Sequence, residues 1–441
     1  MGGPPIENDY QVQLRSRAMM LIQKVRSRIA LARVVLALSG VASLYGCDDA
    51  DDSTDDEHHA ESASESPLYA MMVQVYDIDG EDRTVYVSLT DTLDIDSVDL
   101  KQAREFSGVA NLAAIDGDLL ISSGTEPTIT KFSISEDFTW TERDEVSFAE
   151  YPFSDNANFY YQYVLNDQTA YMPYEITKRL IWNPTEMVID EMRDDSKLEI
   201  ERGSLLAEVG GNRNGIHFDG PVQQAFYFTD KDYFDFDQGS VIAIYDEKTH
   251  DERELIRVPC PGLSMASQDE DGYTYYGTWT FQGTRALFGE GPKPCIARLK
   301  PDLTLDEDWT TDLRDLTDGR HVNNFRYIGK GRAIGNVLHH EMLDVDWDRG
   351  YDADVAETID KSGEHWRLWL FDLDEGTAKP IDNIDVETSS GAQFAVLDGR
   401  TFVFLPYDDW GRTKLYELDA AGKATERADT SGDVFKWIRV R

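Results

Sequence analysis

The residues best suited to recognise a small molecule are arginines and aromatics set in turn-rich stretches. They are Arg179, Arg213, Tyr233, Trp279, Arg285, His321, Trp410 and Arg412. Indole and phenol rings offer flat stacking surfaces, and guanidinium groups pair bidentately with oxyanions. Together they suit a flat, anionic, aromatic ligand. The competing reading of each residue is structural: rings packed between sheets, and arginines neutralising neighbouring acids. His339, His340 and Glu341 form a compact run with metal-binding side chains. Adjacent histidines on a strand point to opposite faces, however, and would not share one ion. The acid-rich stretch 339–365 could hold calcium, yet it lacks the spacing of an EF-hand loop. The sequence contains no phosphate-binding loop, nucleophile elbow, zinc-protease motif or haem-attachment motif. No catalytic residue or metal ligand is assigned, no cofactor is required, and calcium stays a candidate ion.

These residues need a scaffold, and the scaffold is legible as a repeat. From Pro67 onward, short runs rich in Val, Ile, Tyr, Phe and Thr alternate with Asp-Gly-type turns. Each unit opens with a strand and tight turn, as in 112–118 (LAAIDGD), 163–168 (YVLNDQ), 215–221 (GIHFDGP), 266–273 (ASQDEDGY), 326–332 (RYIGKGR) and 394–400 (FAVLDGR). Asp-Gly supplies the positive φ angles of a two-residue hairpin. A second apolar strand, a variable loop, a third strand and a more polar fourth strand follow. One further unit can be assembled from both termini. Phe435–Val440 supplies one strand, and Leu68–Tyr76, Thr84–Leu89 and a polar strand near Leu93–Leu100 supply three. The predicted fold is therefore all-β, a seven-bladed β-propeller closed by pairing its two ends, at about 54 residues per blade. Eight blades and a pair of stacked β-sandwiches are the alternatives. Loops between second and third strands, and between blades, share one face. The candidate ligand residues fall in these loops.

The first 66 residues read differently. Residues 10–46 lack Asp and Glu and carry Arg15, Arg17, Lys24, Arg26, Arg28 and Arg33 ahead of an apolar run, Val34–Tyr45. The run ends Leu44-Tyr45-Gly46-Cys47, which resembles a bacterial lipobox with Cys47 as the lipidated residue. Residues 1–46 are thus expected to be a lipoprotein signal peptide, with Met19 or Met20 as an alternative start. Residues 47–66 follow as an acidic tether; 48–66 hold nine acids and neither Lys nor Arg. Residues 67–441 form the propeller domain. Three acyl chains would anchor the protein durably to the cell envelope, with the outer membrane favoured. Outside the cytoplasm, Cys260 and Cys295 are a plausible disulfide, the alternative being two separate thiols.

Hydrophobic residues make up 41% of the chain, enough for a sizeable core. The formal charge of −42 argues against nucleic acid as a partner. It also repels anionic ligands, so a site for one needs local cations.

The stretches 86–108 (YVSLTDTLDIDSVDLKQAREFSG), 174–187 (YEITKRLIWNPTEM), 259–272 (PCPGLSMASQDEDG) and 366–374 (WRLWLFDLD) resemble the lipoprotein family associated with myxochelin-type siderophore clusters of myxobacteria. The resemblance extends over most of 68–441 and implies a surface or periplasmic propeller connected with ferric siderophore use. The expected function is a lipid-anchored binding protein that assists ferric siderophore uptake, with the ferric siderophore as ligand and a TonB-dependent outer-membrane receptor as partner. Two alternatives stand: an interaction platform at the envelope, and a calcium-dependent propeller hydrolase or lactonase.

Overall fold

Two-residue hairpins set the architecture. In Asp116-Gly117, Lys330-Gly331 and Asp398-Gly399 both residues have positive φ, from +48° to +84°. This is the type I′ geometry whose twist matches that of the flanking strands. The computed structural model describes residues 66–76, 83–107, 111–122, 127–151, 163–175, 178–194, 204–205, 222–227, 239–246, 248–278, 284–309, 311–361, 365–384, 392–408 and 410–441. The signal peptide, Cys47 and the tether up to residue 65 lie outside the described residues.

Among the described residues the strands form six four-stranded antiparallel sheets and one three-stranded sheet. One sheet contains β4 (Asn111–Ile115), β5 (Asp118–Ser122), β6 (Thr128–Ile134) and β7 (Trp140–Ser147). The next contains β8 (Tyr163–Val164), β9 (Ala170–Glu175), β10 (Lys178–Asn183) and β11 (Val188–Asp194). A third has β12 (Ser204–Leu205), β13 (Val222–Tyr227), β14 (Ser240–Tyr245) and β15 (Glu252–Val258). The three-stranded sheet has β16 (Leu263–Gln268), β17 (Thr274–Thr278) and β18 (Ala297–Leu299). Then come β19 (His321–Gly329), β20 (Arg332–Leu338), β21 (Trp366–Asp372) and β22 (Thr377–Pro380). The last complete sheet has β23 (Gln393–Leu397), β24 (Arg400–Tyr407), β25 (Arg412–Leu418) and β26 (Ala424–Ser431). This is a β-propeller, as expected from the repeat.

The remaining sheet is split between the termini. Its order is β27-β1-β2-β3, with β27 (Asp433–Arg439) beside β1 (Tyr69–Tyr76), then β2 (Arg83–Thr90) and β3 (Arg104–Ser107). Leu68 N–H donates to the Arg441 carbonyl at 3.1 Å, and the Leu68 carbonyl accepts from Val440 N–H at 2.7 Å. The fourth strand is not at Leu93–Leu100 but at Arg104–Ser107. Leu93 is buried, and Ile95, Val98 and Leu100 pack beside it, so the apolar side chains of that segment serve the core. The expected strand 215–221 lies outside the described residues; among them, β13 pairs with Ser204–Leu205.

Buried apolar side chains lie between adjacent sheets. Leu112, Leu119 and Phe132 meet Met72, Val85 and Ile438, and Phe394, Val403 and Leu405 meet Ile334, Leu368 and Leu370. Such alternation is what a strand with both faces covered requires.

Candidate ligand-binding face

First strands begin at one end of each sheet, here the upper end; the hairpins to second strands lie at the lower end. Among the described residues, two long insertions follow second strands at the upper end, 284–294 and 339–361. The second contains α1 (Ala353–Lys361), which sequence reading missed. Val355, Ala356 and Ile359 lie on one face of α1 and are buried. The insertions pack on each other. Phe288 lies 4.8 Å from Trp347 and 5.6 Å from Tyr351 between ring centres, and the Thr284 and Tyr351 hydroxyls are 3.2 Å apart.

This packing seals His321, the first residue of β19. Its side chain is fully buried, edge-on to Trp366 at 6.0 Å, and neither ring nitrogen has a hydrogen-bond partner. Burial, reinforced by the Arg314 charge, pushes its pKa down to about 3, so the ring is neutral. His321 therefore sits beneath the insertions and not on an open face. Arg285 lies in the same assembly. It pairs with Glu290 at 3.2 Å, and its guanidinium is 6.0 Å from the Tyr351 ring centre.

The other cations here are also matched. Arg320 bonds Glu341 at 2.9 Å and Asp318 at 3.2 Å. Burial alone would raise the Glu341 pKa, but the hydrogen bond from Arg320 prevails and takes it to about 2. His339 Nδ1 lies 3.3 Å from Glu341 as well. The described residues contain no group of three or more His, Cys, Asp or Glu arranged to hold a metal.

Trp410 lies in the turn between β24 and β25, also at the upper end, and Arg412 opens β25. Trp410 has φ +67° and is 40% exposed. A bulky residue in left-handed conformation is strained by about 1–2 kcal/mol, and exposed indole recovers little through burial. Arg412 donates to the Tyr407 hydroxyl at 2.7 Å and to Asp429 at 2.8 Å.

Arg179 has a different setting. It is 2% exposed within β10, 3.6 Å above the Tyr245 ring centre, and donates to the His250 carbonyl at 2.7 Å. The Tyr171 hydroxyl and His250 Nδ1 are 2.7 Å apart. This cluster joins the sheet of β8–β11 to that of β12–β15. Arg213, Tyr233 and Trp279 lie outside the described residues. The structure thus brings Arg285 and His321 into one assembly, places Trp410 on a turn and Arg412 at the start of the following strand, and gives Arg179 a place between sheets.

Asp433, at the upper end of β27, carried no signal in the sequence. It is 4% exposed, its Oδ1 has no hydrogen-bond partner, and burial pushes its pKa up to about 7. Cys260 and Cys295 form a disulfide with a Cα–Cα distance of 5.1 Å. It ties the strand after insertion 284–294 to the segment leading into β16. Replacing both cysteines by Ala is expected to lower stability by roughly 3–4 kcal/mol, from the 35-residue separation. Urea unfolding of the double variant against the parent checks this.

No family model matches the chain, and no curated protein matches it. Solved structures do. A proposed 6-phosphogluconolactonase of Bacteroides uniformis superposes with a TM-score of 0.50 at 9% identity, covering 85% of this chain and 100% of that one. The periplasmic gluconolactonase of Pseudomonas aeruginosa gives 0.49 at 15% identity, covering 85% and 99%. At this identity the likeness defines a class by architecture alone: the chain is a β-propeller.

Proposed function

We propose that the protein is a lipid-anchored, extracytoplasmic, seven-bladed propeller that binds a flat anionic aromatic ligand at its upper end. The three-stranded sheet would be the seventh blade. Its outer strand would be represented by the bridges Ile296–Thr311 and Leu299–Leu305. The observation that carries the binding reading is Trp410, an exposed indole held in strained backbone beside Arg412. Stacking on the indole with a guanidinium nearby suits a ferric catecholate, in keeping with the siderophore resemblance. The disulfide supports an oxidising compartment and therefore export. A TonB-dependent receptor is the matching partner.

The test is tryptophan fluorescence of the purified protein titrated with a ferric catecholate. Saturable quenching at micromolar ligand, weakened at least tenfold in Trp410→Ala, is expected. No saturable quenching sinks the ligand assignment. Lactone hydrolysis abolished by chelation would transfer the protein to the calcium-dependent lactonase alternative. Anchoring is tested separately: Cys47→Ala should lose detergent partitioning, and unchanged partitioning removes the lipoprotein reading.

A further inference from the structure

The turn after the third strand holds one residue in left-handed conformation in six sheets of the described residues. Glycine fills that position at Gly376 and Gly422, with φ +63° and +79°. Phe138, Met187, His250 and Leu303 fill it elsewhere, with φ from +54° to +67°. A side chain there is strained unless its surroundings hold it. Met187 is buried at 4% exposure, Leu303 packs against Ile256, Val258 and their neighbours, and His250 meets the Tyr171 hydroxyl. Phe138 differs: it is 37% exposed.

Phe138 stands at the rim of a groove of about 410 Å³ at the lower end of the split sheet. Trp140, also in the lining, packs into the core shared with β4–β6, whereas Ile95 and Val98 pack into the core shared with β23–β27. Apolar walls therefore stand on both faces of β2. Between them the sheet edge is open. β3 pairs with β2 only from Thr84 to Val87, so the outer edge of Ser88–Thr90 carries no strand among the described residues. Those three residues line the groove and span roughly 10 Å. Asp99 and Asp137 are its only charged lining residues among the described residues. Hydrogen bonds from Ser135 and Thr139 hold the Asp137 carboxyl below the usual range, so it stays ionised.

We propose that this groove receives an extended segment of a partner protein as an added strand, apolar toward the two walls and bearing Lys or Arg for Asp99 and Asp137. An open edge flanked by side-chain pockets is the geometry of strand addition. Charge selects the occupant. The chain's own tether, residues 48–66, holds nine acids and no Lys or Arg, so the two carboxylates repel it. A second copy carries the same −42 charge. A cationic segment is attracted on both counts. The groove is at the opposite end from Trp410 and is independent of the proposed ligand.

The test uses the full chain and a dye-labelled decapeptide of alternating lysine and valine, followed by fluorescence anisotropy. Saturable binding is expected, weakened at least tenfold when the peptide is N-methylated throughout, because strand addition needs its backbone N–H groups. Phe138→Gly should weaken binding to a similar degree while raising the unfolding midpoint, so lost binding could not be a loss of fold. Equal binding of the methylated peptide would mean bulk charge attraction and overturn the proposal, as would no binding or unchanged binding by Phe138→Gly. A dimer seen by sedimentation that dissolves in Phe138→Gly would assign the groove to a second copy and overturn it too.

Discussion

Replacing Asp433 by Asn is expected to stabilise the protein by about 4 kcal/mol at pH 8, with a benefit that shrinks as pH falls. The folded-state pKa is raised from 3.8 to about 7, and burial is the cause. Below pH 4 the carboxyl is protonated in both folded and unfolded chains and has no effect. Between pH 4 and 7 the unfolded chain ionises while the folded one keeps its proton. Stability is then lost at about 1.4 kcal/mol per pH unit, and the loss levels off above pH 7. Asn stays neutral and escapes that loss. Gln74 stands opposite Asp433 across β1 and β27, and Tyr76, whose own pKa is raised by burial and by Asp433, stands nearby. Urea unfolding of parent and variant at pH 5, 6, 7 and 8 should show curves that diverge with pH. Parallel curves would mean that the side chain reaches water or a partner.

Trp437→Ala is expected to cost about 3–5 kcal/mol, the range for emptying a buried aromatic site. Trp437 is fully buried in β27, with its ring centre 4.7 Å from that of Phe402 and 6.3 Å from that of Phe404. Tyr69 of β1 meets it edge-on at 6.5 Å. One side chain thus joins the strand from the C-terminus, the strand from the N-terminus and the sheet of β23–β26. Trp437→Phe should cost clearly less, because the indole N–H has no hydrogen-bond partner to lose. Denaturant midpoints separate the two variants; equal losses would show that packing volume is not the main contribution.

What the sequence revealed follows from how local the physics is. Asp116-Gly117 and Asp398-Gly399 were readable because their backbone angles restrict residue choice at two adjacent positions. The opening strand at 112–118 was readable because an apolar run ends there in a restrictive turn, and β4 lies at Asn111–Ile115. β3 was misplaced because Leu93, Ile95, Val98 and Leu100 look like a strand but bury against a sheet assembled far along the chain. α1 was missed because its Val355, Ala356 and Ile359 face lies within an acid-rich stretch. The candidate site was legible as a set of residue types, not as a set of exposures. His321 and Arg179 look alike as loop or edge residues in sequence, and both are buried by segments distant in sequence. Arg400 meets Asp94 across 306 residues, and no spacing rule anticipates that pairing.

The order β27-β1-β2-β3 also constrains the timing of folding. The ribosome delivers β1 (Tyr69–Tyr76) long before β27 (Asp433–Arg439), so one edge of β1 must wait for all the intervening residues to be made. Loop-closure entropy makes such a long-range pairing slow. During that interval an apolar strand edge is open to wrong partners. Nascent chains of this protein should therefore depend on holdase protection more than sandwiches of equal size whose sheets finish in sequence order.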